Sequence, residues 1–158
     1  MNTEAAQYAT VTDYLTADHR RLDAILDDAA RLAASPATAA RALARYEEFQ
    51  RGLTRHILVE EEILFPAFER ASGMSGGGPT AVMRVEHVAI REILADLHAA
   101  LSASDPGRFQ YGVTDLVGVL SPHNMKEEHM LYPMSDQFAG DDRARAELVR
   151  RMIDYAQL

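Results

Sequence analysis

Residues 55–66 read RHILVEEEILFP and contain a His and a Glu four positions apart, His56 and Glu60, followed by Phe65-Pro66. On an α-helix, residues four positions apart lie on the same face, about 6 Å apart along the axis. An imidazole nitrogen and a carboxylate oxygen placed in this way can bind the same metal ion. A single His-x-x-x-Glu pair also occurs by chance in many helical proteins, so this stretch alone indicates a metal site only weakly.

The pattern occurs a second time in residues 123–133, HNMKEEHMLYP, where His123 and Glu127 are followed by Tyr132-Pro133. The matching His, Glu and Pro residues of the two copies are 67 positions apart. Each copy is also preceded by another His, at a distance of 37 positions in the first half and 36 in the second. We interpret the chain as two diverged helical hairpins. The candidate metal ligands are His19, His56, Glu60, His87, His123 and Glu127.

Length and composition restrict the class of protein. The 158 residues are enough for one domain with a core, and 47% hydrophobic with 25% charged residues is ordinary for a globular chain. The formal charge of −8 argues against nucleic acid as a partner. The absence of Cys excludes disulfides and Cys-ligated clusters. Without a membrane-length apolar run or a signal peptide, we expect a cytoplasmic protein with no membrane partner.

Apolar residues spaced three or four positions apart predict an all-α fold. Four helices follow a frayed N-terminus of about ten residues, and they begin near Thr12, Pro36, Thr80 and Pro106. Short connections favour an up-down-up-down four-helix bundle, whose inner faces bring the six candidate ligands together. We predict a single domain over residues 1–158, with a bundle core at about 12–135 and a short additional C-terminal helix at about 141–157.

Two prolines are expected to disturb these helices, because proline cannot donate a backbone N–H. Pro66 should kink or end the second helix, and Pro122 should bend the fourth. On each helix the core-facing residues form a stripe, which we call the inner stripe. The inner stripes are predicted to continue past the candidate ligands to Ile63 in the second helix and Met130 in the fourth.

Buried core histidines are the plain alternative to a metal site. Two carboxylates buried close together would suffer desolvation and mutual repulsion unless cations lay between them, which favours metal. Asp23 is the best candidate for an extra ligand or hydrogen-bond acceptor, whereas His129 should face away and His98 should lie about 16 Å from the site. We expect the solvent-exposed edges of these helices, rather than extra metal ligands, at Glu61, Glu62 and Glu128. Core filling is expected for Met83, Met125 and Met130.

Imidazole and carboxylate ligands suit iron, manganese or zinc. Two carboxylates shared by four imidazoles favour a pair of ions bridged by Glu60 and Glu127. These side chains supply about eight of the roughly twelve positions that two octahedral ions require, and an oxo or hydroxo bridge takes about two more. About one open position per metal is left, where O₂, NO or peroxide would bind.

The order His, His-x-x-x-Glu, His, His-x-x-x-Glu, with an aromatic-proline pair after each Glu, resembles the hemerythrin-like, HHE cation-binding domain family over about residues 12–135. The resemblance implies a non-haem di-iron centre (Fe²⁺/Fe³⁺) in a four-helix bundle, with the four His as terminal ligands and the two Glu as bridges. The family's oxygen carriers have a second His on the third helix, where this chain has Met83 and Arg91, and an Asp in place of Glu127. Relatives implicated in iron–sulfur cluster repair commonly carry a Cys-containing N-terminal domain, which we do not expect here.

The predicted function is a cytosolic di-iron protein that binds O₂, NO or peroxide for sensing, storage or detoxification. One alternative is a di-iron oxidoreductase that decomposes peroxide or reduces NO, and another is an iron or cation buffer without turnover. No general base or substrate pocket is readable in the sequence, and no catalytic residue is assigned, which lightly favours the binding protein. The fifth helix is expected either to cover the bundle or to form a homodimer contact, and the sequence does not choose between the two.

Overall fold

A computed structural model describes residues 7–158 of the protein, and these residues form helices and connections without a β-strand. Residues 1–6, which include most of the predicted frayed segment, lie outside the described residues. The helices are α1 (Val11–Ala33), α2 (Ala39–Val59), α3 (Phe65–Ser72), α4 (Pro79–Ser102), α5 (Pro106–Lys126), α6 (Tyr132–Ala139) and α7 (Asp142–Ala156). A 3₁₀ turn (Pro36–Thr38) precedes α2, and π-helical segments join α2 to α3 (Glu60–Leu64) and α5 to α6 (Glu127–Leu131).

The predicted four-helix bundle is confirmed. The joined helices α2–α3 and α5–α6 act as continuous rods, so the bundle consists of α1, α2–α3, α4 and α5–α6. Helix α1 packs on α2 in the first half and α4 packs on α5 in the second, while α2 packs on α4 across the halves. None of the helices within residues 7–158 has the length and apolar character needed to cross a lipid bilayer.

Several helices begin at cap residues that are recognisable in the sequence. The side chains of Thr10, Asp105 and Asp141 each accept a hydrogen bond from the backbone N–H three residues later. Such a bond satisfies one of the four backbone donors that have no partner inside the first turn of a helix. Asp136 on α6 adds a long-range contact, since its carboxylate accepts hydrogen bonds from the backbone N–H groups of Val11 and Thr12.

A layer of buried polar side chains divides the apolar core into two clusters. The larger cluster fills the bundle between α1, α2, α4 and α5 around Tyr46 and Phe109. The smaller cluster lies at the end of the bundle that α7 covers, around Leu15 and Phe65. Helix α7 buries Leu148, Val149, Met152 and Ile153 in this cluster. The fifth predicted helix therefore packs its apolar face inside the same chain, and a homodimer contact through it stays a prediction.

The two π-helical segments begin at equivalent glutamates. Because the backbone N–H of Phe65 donates to the carbonyl of Glu60 five positions earlier, the turn contains one residue more than an α-helical turn. The N–H of Tyr132 donates to Glu127 in the same way. Helix α2 ends before Pro66, as expected, but its rod continues through the wider turn rather than stopping.

The wider turn changes which residues face the core. A regular 3.6-residue period places Ile63 and Met130 on the inner faces, whereas the structure buries Leu64 and Leu131 there. Met130 is 47% exposed. The predicted stripes are therefore displaced by one position beyond each buried Glu. Pro122 lies inside α5, which runs uninterrupted from Pro106 to Lys126.

Candidate metal centre

The six predicted ligands lie together in the polar layer between the two apolar clusters, and all six are buried. They form two groups, in each of which one ligand atom per residue lies within 4.8 Å of the others. The first group is His19, His56, Glu60 and Glu127. The second group is Glu60, His87, His123 and Glu127. Both glutamates belong to both groups, as the bridging prediction requires, although the metal-ligand assignment of the six residues stays a prediction.

The imidazoles face the glutamates with their Nε2 atoms. In the first group, Nε2 of His19 lies 3.2 Å from Glu127 and Nε2 of His56 lies 3.3 Å from Glu60. In the second group, Nε2 of His87 lies 3.2 Å from Glu60 and Nε2 of His123 lies 2.9 Å from Glu127. The two carboxylates therefore lie in the middle, and each half of the chain contributes to both groups.

The Nδ1 atoms of two imidazoles are hydrogen-bonded to carboxylates from the first helix of each half. Nδ1 of His56 lies 2.8 Å from Asp18, and Nδ1 of His123 lies 2.7 Å from Glu86. These acids directly precede His19 and His87 in the sequence. The acids are held in turn by cations, since Arg21 donates to Asp18 and Lys126 donates to Glu86.

The Nδ1 atoms of the other two imidazoles are hydrogen-bonded to the acidic residues that directly follow Glu60 and Glu127. Nδ1 of His87 lies 2.9 Å from Glu61, and Nδ1 of His19 lies 2.8 Å from Glu128. The prediction that Glu61 and Glu128 form a solvated edge is wrong, because their side chains reach across to a neighbouring helix and meet an imidazole there. Glu62 is exposed, as expected. We call Asp18, Glu61, Glu86 and Glu128 the outer carboxylates.

Within the described residues, three buried atoms of the second group are in no well-aligned hydrogen bond, although imidazole nitrogens lie 2.9–3.2 Å from carboxylate oxygens there: Glu60 Oε2, His87 Nε2 and Glu127 Oε1. A buried polar group without a partner costs about 1–3 kcal/mol, and a charged one costs more. A cation between these atoms would satisfy all three at once. Nitrogen and oxygen donors also form the set that a first-row divalent ion prefers, so the residues fit a metal.

The charges of the metal-free centre are balanced by protons on the imidazoles. Burial by itself would raise the pKa of Glu60 and Glu127, but the neighbouring imidazoles outweigh it, so the pKa of Glu60 is lowered and that of Glu127 lies well below its usual value. Burial would lower the pKa of the imidazoles, but the carboxylates raise that of His87 to about 9 and that of His56 well above its usual value. A metal would take the place of these protons.

Tyr132 is a residue of the site that the periodic pattern did not identify. Its hydroxyl can donate to Glu60 Oε1 at 2.5 Å or to Glu127 Oε2 at 2.9 Å. On a regular α-helix a residue five positions after Glu127 would point about 140° away, but the π-helical segment turns it inward. Burial raises the pKa of Tyr132 well above its usual value, so the phenol is neutral in the metal-free centre. The sequence feature that could have identified Tyr132 is the aromatic-proline pair, which occurs after each of the two buried glutamates.

The remaining candidates lie outside the two groups. Asp23 is exposed, and Glu128 occupies the place at Nδ1 of His19 that Asp23 was expected to fill. His129 is exposed, and His98 lies 3.1 Å from Glu47. The prediction of core filling holds for the buried Met83 and is wrong for Met125 and Met130, which are 57% and 47% exposed. Met125 lies two positions from both His123 and Glu127, which places it on the opposite face of the helix.

Comparison with known proteins identifies relatives of part of this chain. Matches include the iron-sulfur cluster repair protein YtfE of Yersinia pestis (strain Pestoides F) and of Yersinia pseudotuberculosis (serotype O:1b, strain IP 31758). Each is 30% identical over 89 residues, which cover 51% of this chain and 40% of the relative. The chain thus matches less than half the length of these relatives. No solved structure matches it significantly. The profile of the family described as the Hemerythrin HHE cation binding domain matches residues 10–135, most of the chain, and the chain therefore belongs to this family.

Proposed function

We propose that the protein binds two iron ions, one in each of the two groups, with Glu60 and Glu127 as the bridges between them. The observation that carries this proposal is that both groups share the same two buried carboxylates. Two anionic side chains completely removed from solvent need positive charge beside them, which protons on the imidazoles supply in the metal-free centre and two metal ions would supply in their place. The three partnerless atoms of the second group support the same conclusion.

Iron is proposed ahead of manganese and zinc on two grounds. The imidazole and carboxylate donors suit all three metals, so the donor set alone does not choose. Helical bundles with inward Glu and His side chains are an established setting for di-iron and di-manganese sites, which favours these two metals over zinc. The matched relatives are named for the repair of iron–sulfur clusters, which points to iron chemistry in proteins that share part of this chain.

We propose that the iron pair binds a small molecule: O₂, NO or peroxide. A ferrous ion supplies an open position and an electron to such molecules. Glu60, His87 and Glu127 are 0% exposed, so a molecule that reaches the second group must pass between packed side chains and must itself be small. Sensing, storage and detoxification of such a molecule are the roles consistent with a closed centre.

The outer carboxylates have a defined part in this function. By accepting hydrogen bonds from Nδ1, they keep each imidazole in the tautomer whose Nε2 lone pair faces the glutamates. They also increase the basicity of the imidazoles, which strengthens metal binding. The protein therefore supplies a preorganised set of donors, with negative charge around as well as between the ions.

The proposal is tested first by metal content. The protein, loaded anaerobically with ferrous iron and freed of excess metal, should retain two iron ions per chain. Retention of no iron, or of one ion with no change on addition of more, would contradict the proposal.

The second test mixes the reduced iron-loaded protein with O₂, NO or H₂O₂ in a stopped-flow spectrometer. A long-lived charge-transfer band that disappears on removal of the gas is expected for reversible binding. Rapid conversion to the diferric form, followed by catalytic consumption of H₂O₂, would instead identify an oxidoreductase. Iron that exchanges freely with chelators and does not react with any of the three would identify a cation buffer.

A further inference from the structure

The two groups of candidate ligands differ in their relation to Tyr132. The phenolic oxygen lies 3.2 Å from Nε2 of His19 and 3.4 Å from Nε2 of His56. It lies 2.5 Å from Glu60 and 2.9 Å from Glu127. Its hydrogen-bonding neighbours among the described residues are thus the four members of the first group, whereas His87 and His123 of the second group are not among them.

The equivalent position in the other half of the chain has no such oxygen. Phe65 occupies it, 67 positions before Tyr132. The ring of Phe65 stacks on His87 with the ring centroids 5.7 Å apart and the planes at 13°. The backbone is the same in both halves, because each aromatic residue directly follows a π-helical segment. Because the first half of the chain has Phe at this position and the second half has Tyr, the two sides of an otherwise symmetric centre differ chemically.

The spacing of the phenolic oxygen is that of a ligand atom. Neighbouring donors bound at about 2.1 Å to one octahedral ion lie about 3 Å from each other. The proposed donors of the first group show this spacing, with 3.2 Å between His19 and Glu127 and 3.3 Å between His56 and Glu60. The distances from the phenolic oxygen to the same four residues are 2.5–3.4 Å. Its position therefore matches that of a fifth donor.

We propose that the phenolic oxygen of Tyr132 is a seventh metal ligand of the centre and binds the ion of the first group. This inference rests on the proposed di-iron function and adds to it. Iron accepts tyrosine oxygen as a ligand, and a ferric ion favours its anionic form. The phenol proton is released to solvent when the metal binds, as the protons of other ligands are. The side chain needs no new backbone conformation, since it already points into the first group.

The inference distinguishes the two metal positions. The ion of the first group would have five protein donors: two imidazoles, two bridging carboxylates and the phenolic oxygen. The ion of the second group would have four, and the partnerless atoms Glu60 Oε2, His87 Nε2 and Glu127 Oε1 all lie on its side. The second position is therefore the one that stays open for O₂, NO or peroxide, next to the ring of Phe65.

The experiment is resonance Raman spectroscopy of the diferric protein, excited in its visible absorption. A phenolic oxygen bound to ferric iron gives a charge-transfer band, and excitation there enhances vibrations of the tyrosine ring. We expect these vibrations in the wild-type protein, and we expect them to shift when ring-deuterated tyrosine is incorporated. The variant Tyr132→Phe should lose both the band and the vibrations.

The matched control is Tyr46→Phe. Tyr46 is also buried, but its hydroxyl donates to the carbonyl of Leu94 in the larger apolar cluster. This variant should keep the wild-type band. Absence of tyrosine vibrations from wild-type protein that holds two ferric ions would overturn the inference while leaving the di-iron function intact, as would their persistence in Tyr132→Phe. Failure of the wild-type protein to hold two ions would instead refute the proposed function. The wild-type spectrum by itself tests whether a tyrosine binds the iron, so the experiment can refute the inference even if Tyr132→Phe is unstable.

Discussion

Asp18 holds the imidazole of His56 through a 2.8 Å hydrogen bond between a carboxylate oxygen and Nδ1. The contact joins the first helix of the hairpin to the second and leaves Nε2 free to face Glu60. Burial opposes the charged form of Asp18, but the hydrogen bond and charge of His56, together with Arg21, lower the pKa of Asp18 to about 2. The carboxylate is therefore ionised throughout the neutral range and can support the imidazole that we propose as a metal ligand.

Replacement of this carboxylate should weaken metal binding without removing the ligand itself. The substitution Asp18→Asn keeps the shape but removes the charge, and losses of about 10–100-fold in affinity are typical for such partners of metal-bound histidines. The same loss is expected for Glu86→Gln in the second half. Competition with a chromogenic chelator measures the affinity. The control is Asp96→Asn, whose side chain is 80% exposed. Equal affinities in all four proteins would show that the outer carboxylates do not support the site.

Removal of a central carboxylate should have a larger effect. Glu60→Ala and Glu127→Ala each delete a donor that belongs to both groups, so each variant should retain at most one ion per chain. Metal analysis after desalting measures this directly. Glu62→Ala is the matched control, because Glu62 lies in the same π-helical segment as Glu60 and is exposed. Two retained ions in both central variants would exclude the bridging role.

The sequence predicted which six side chains come together, because imidazole and carboxylate spacing on a helix follows directly from the 3.6-residue period. His56 and Glu60 are separated by one regular turn, and so are His123 and Glu127. The same rule failed immediately afterwards, since each π-helical segment adds a residue to the turn. Leu64 and Leu131 are buried where the period placed Ile63 and Met130.

The outer carboxylates were not predictable from periodicity for a different reason. Glu61 directly follows a buried residue and lies next to the exposed Glu62, so its own helix gives no sign that it faces a partner. Its role depends on α4, which brings Nδ1 of His87 within 2.9 Å. Contacts of this kind are set by the distance between helices rather than by the pattern along one of them. The repeat itself carried a usable signal, because Glu128 is the equivalent residue in the second half.

Metal affinity should rise with pH. In the metal-free protein the neighbouring carboxylates outweigh burial and raise the pKa of His87 to about 9, so its imidazole is protonated at pH 7 and a metal must displace that proton. Addition of ferrous iron under anaerobic conditions at pH 7 should therefore release protons, and the release should diminish as the starting pH approaches about 9. A pH-indicator dye measures it. Equal proton release at pH 7 and above pH 9 would be inconsistent with protonated imidazoles in the metal-free centre.

The stability of the metal-free protein should change with pH in the opposite direction. The pKa of His87 in the folded protein lies above the ordinary imidazole pKa of about 6.5, so its favourable contribution is complete below about 6.5 and is lost as pH rises through about 9. The pKa of His123 is raised in the same sense. Urea denaturation of the metal-free protein between pH 6.5 and 9 measures the effect. An increase in its free energy of unfolding over this range would contradict the assigned direction.

Metal removal should destabilise the fold. The candidate ligands come from α1, α2–α3, α4 and α5–α6, so they are close together only in the folded bundle, and metal bound there would stabilise that state. A free metal concentration of 100 times the dissociation constant adds about 2.7 kcal/mol. For a chain of this size, that corresponds to a rise of about 5–10 °C in Tm. Differential scanning calorimetry with and without a chelator measures it, and an unchanged Tm would mean that metal does not bind the folded centre preferentially.

Helix α7 should contribute to stability through its buried face. Met152 is 0% exposed in the smaller apolar cluster, which also contains Tyr132. The substitution Met152→Ala removes most of this side chain and leaves a cavity, which typically costs about 2–5 kcal/mol. Leu158→Ala is the control, because Leu158 is 96% exposed and its loss should change the free energy of unfolding by less than about 0.5 kcal/mol. Chemical denaturation compares the two variants.

If both had wild-type stability, α7 would not be packed on the bundle as described. If Met152→Ala were destabilised and still held two ions, the contribution of α7 would be to cover the end of the bundle, with the ligands held by the four rods themselves.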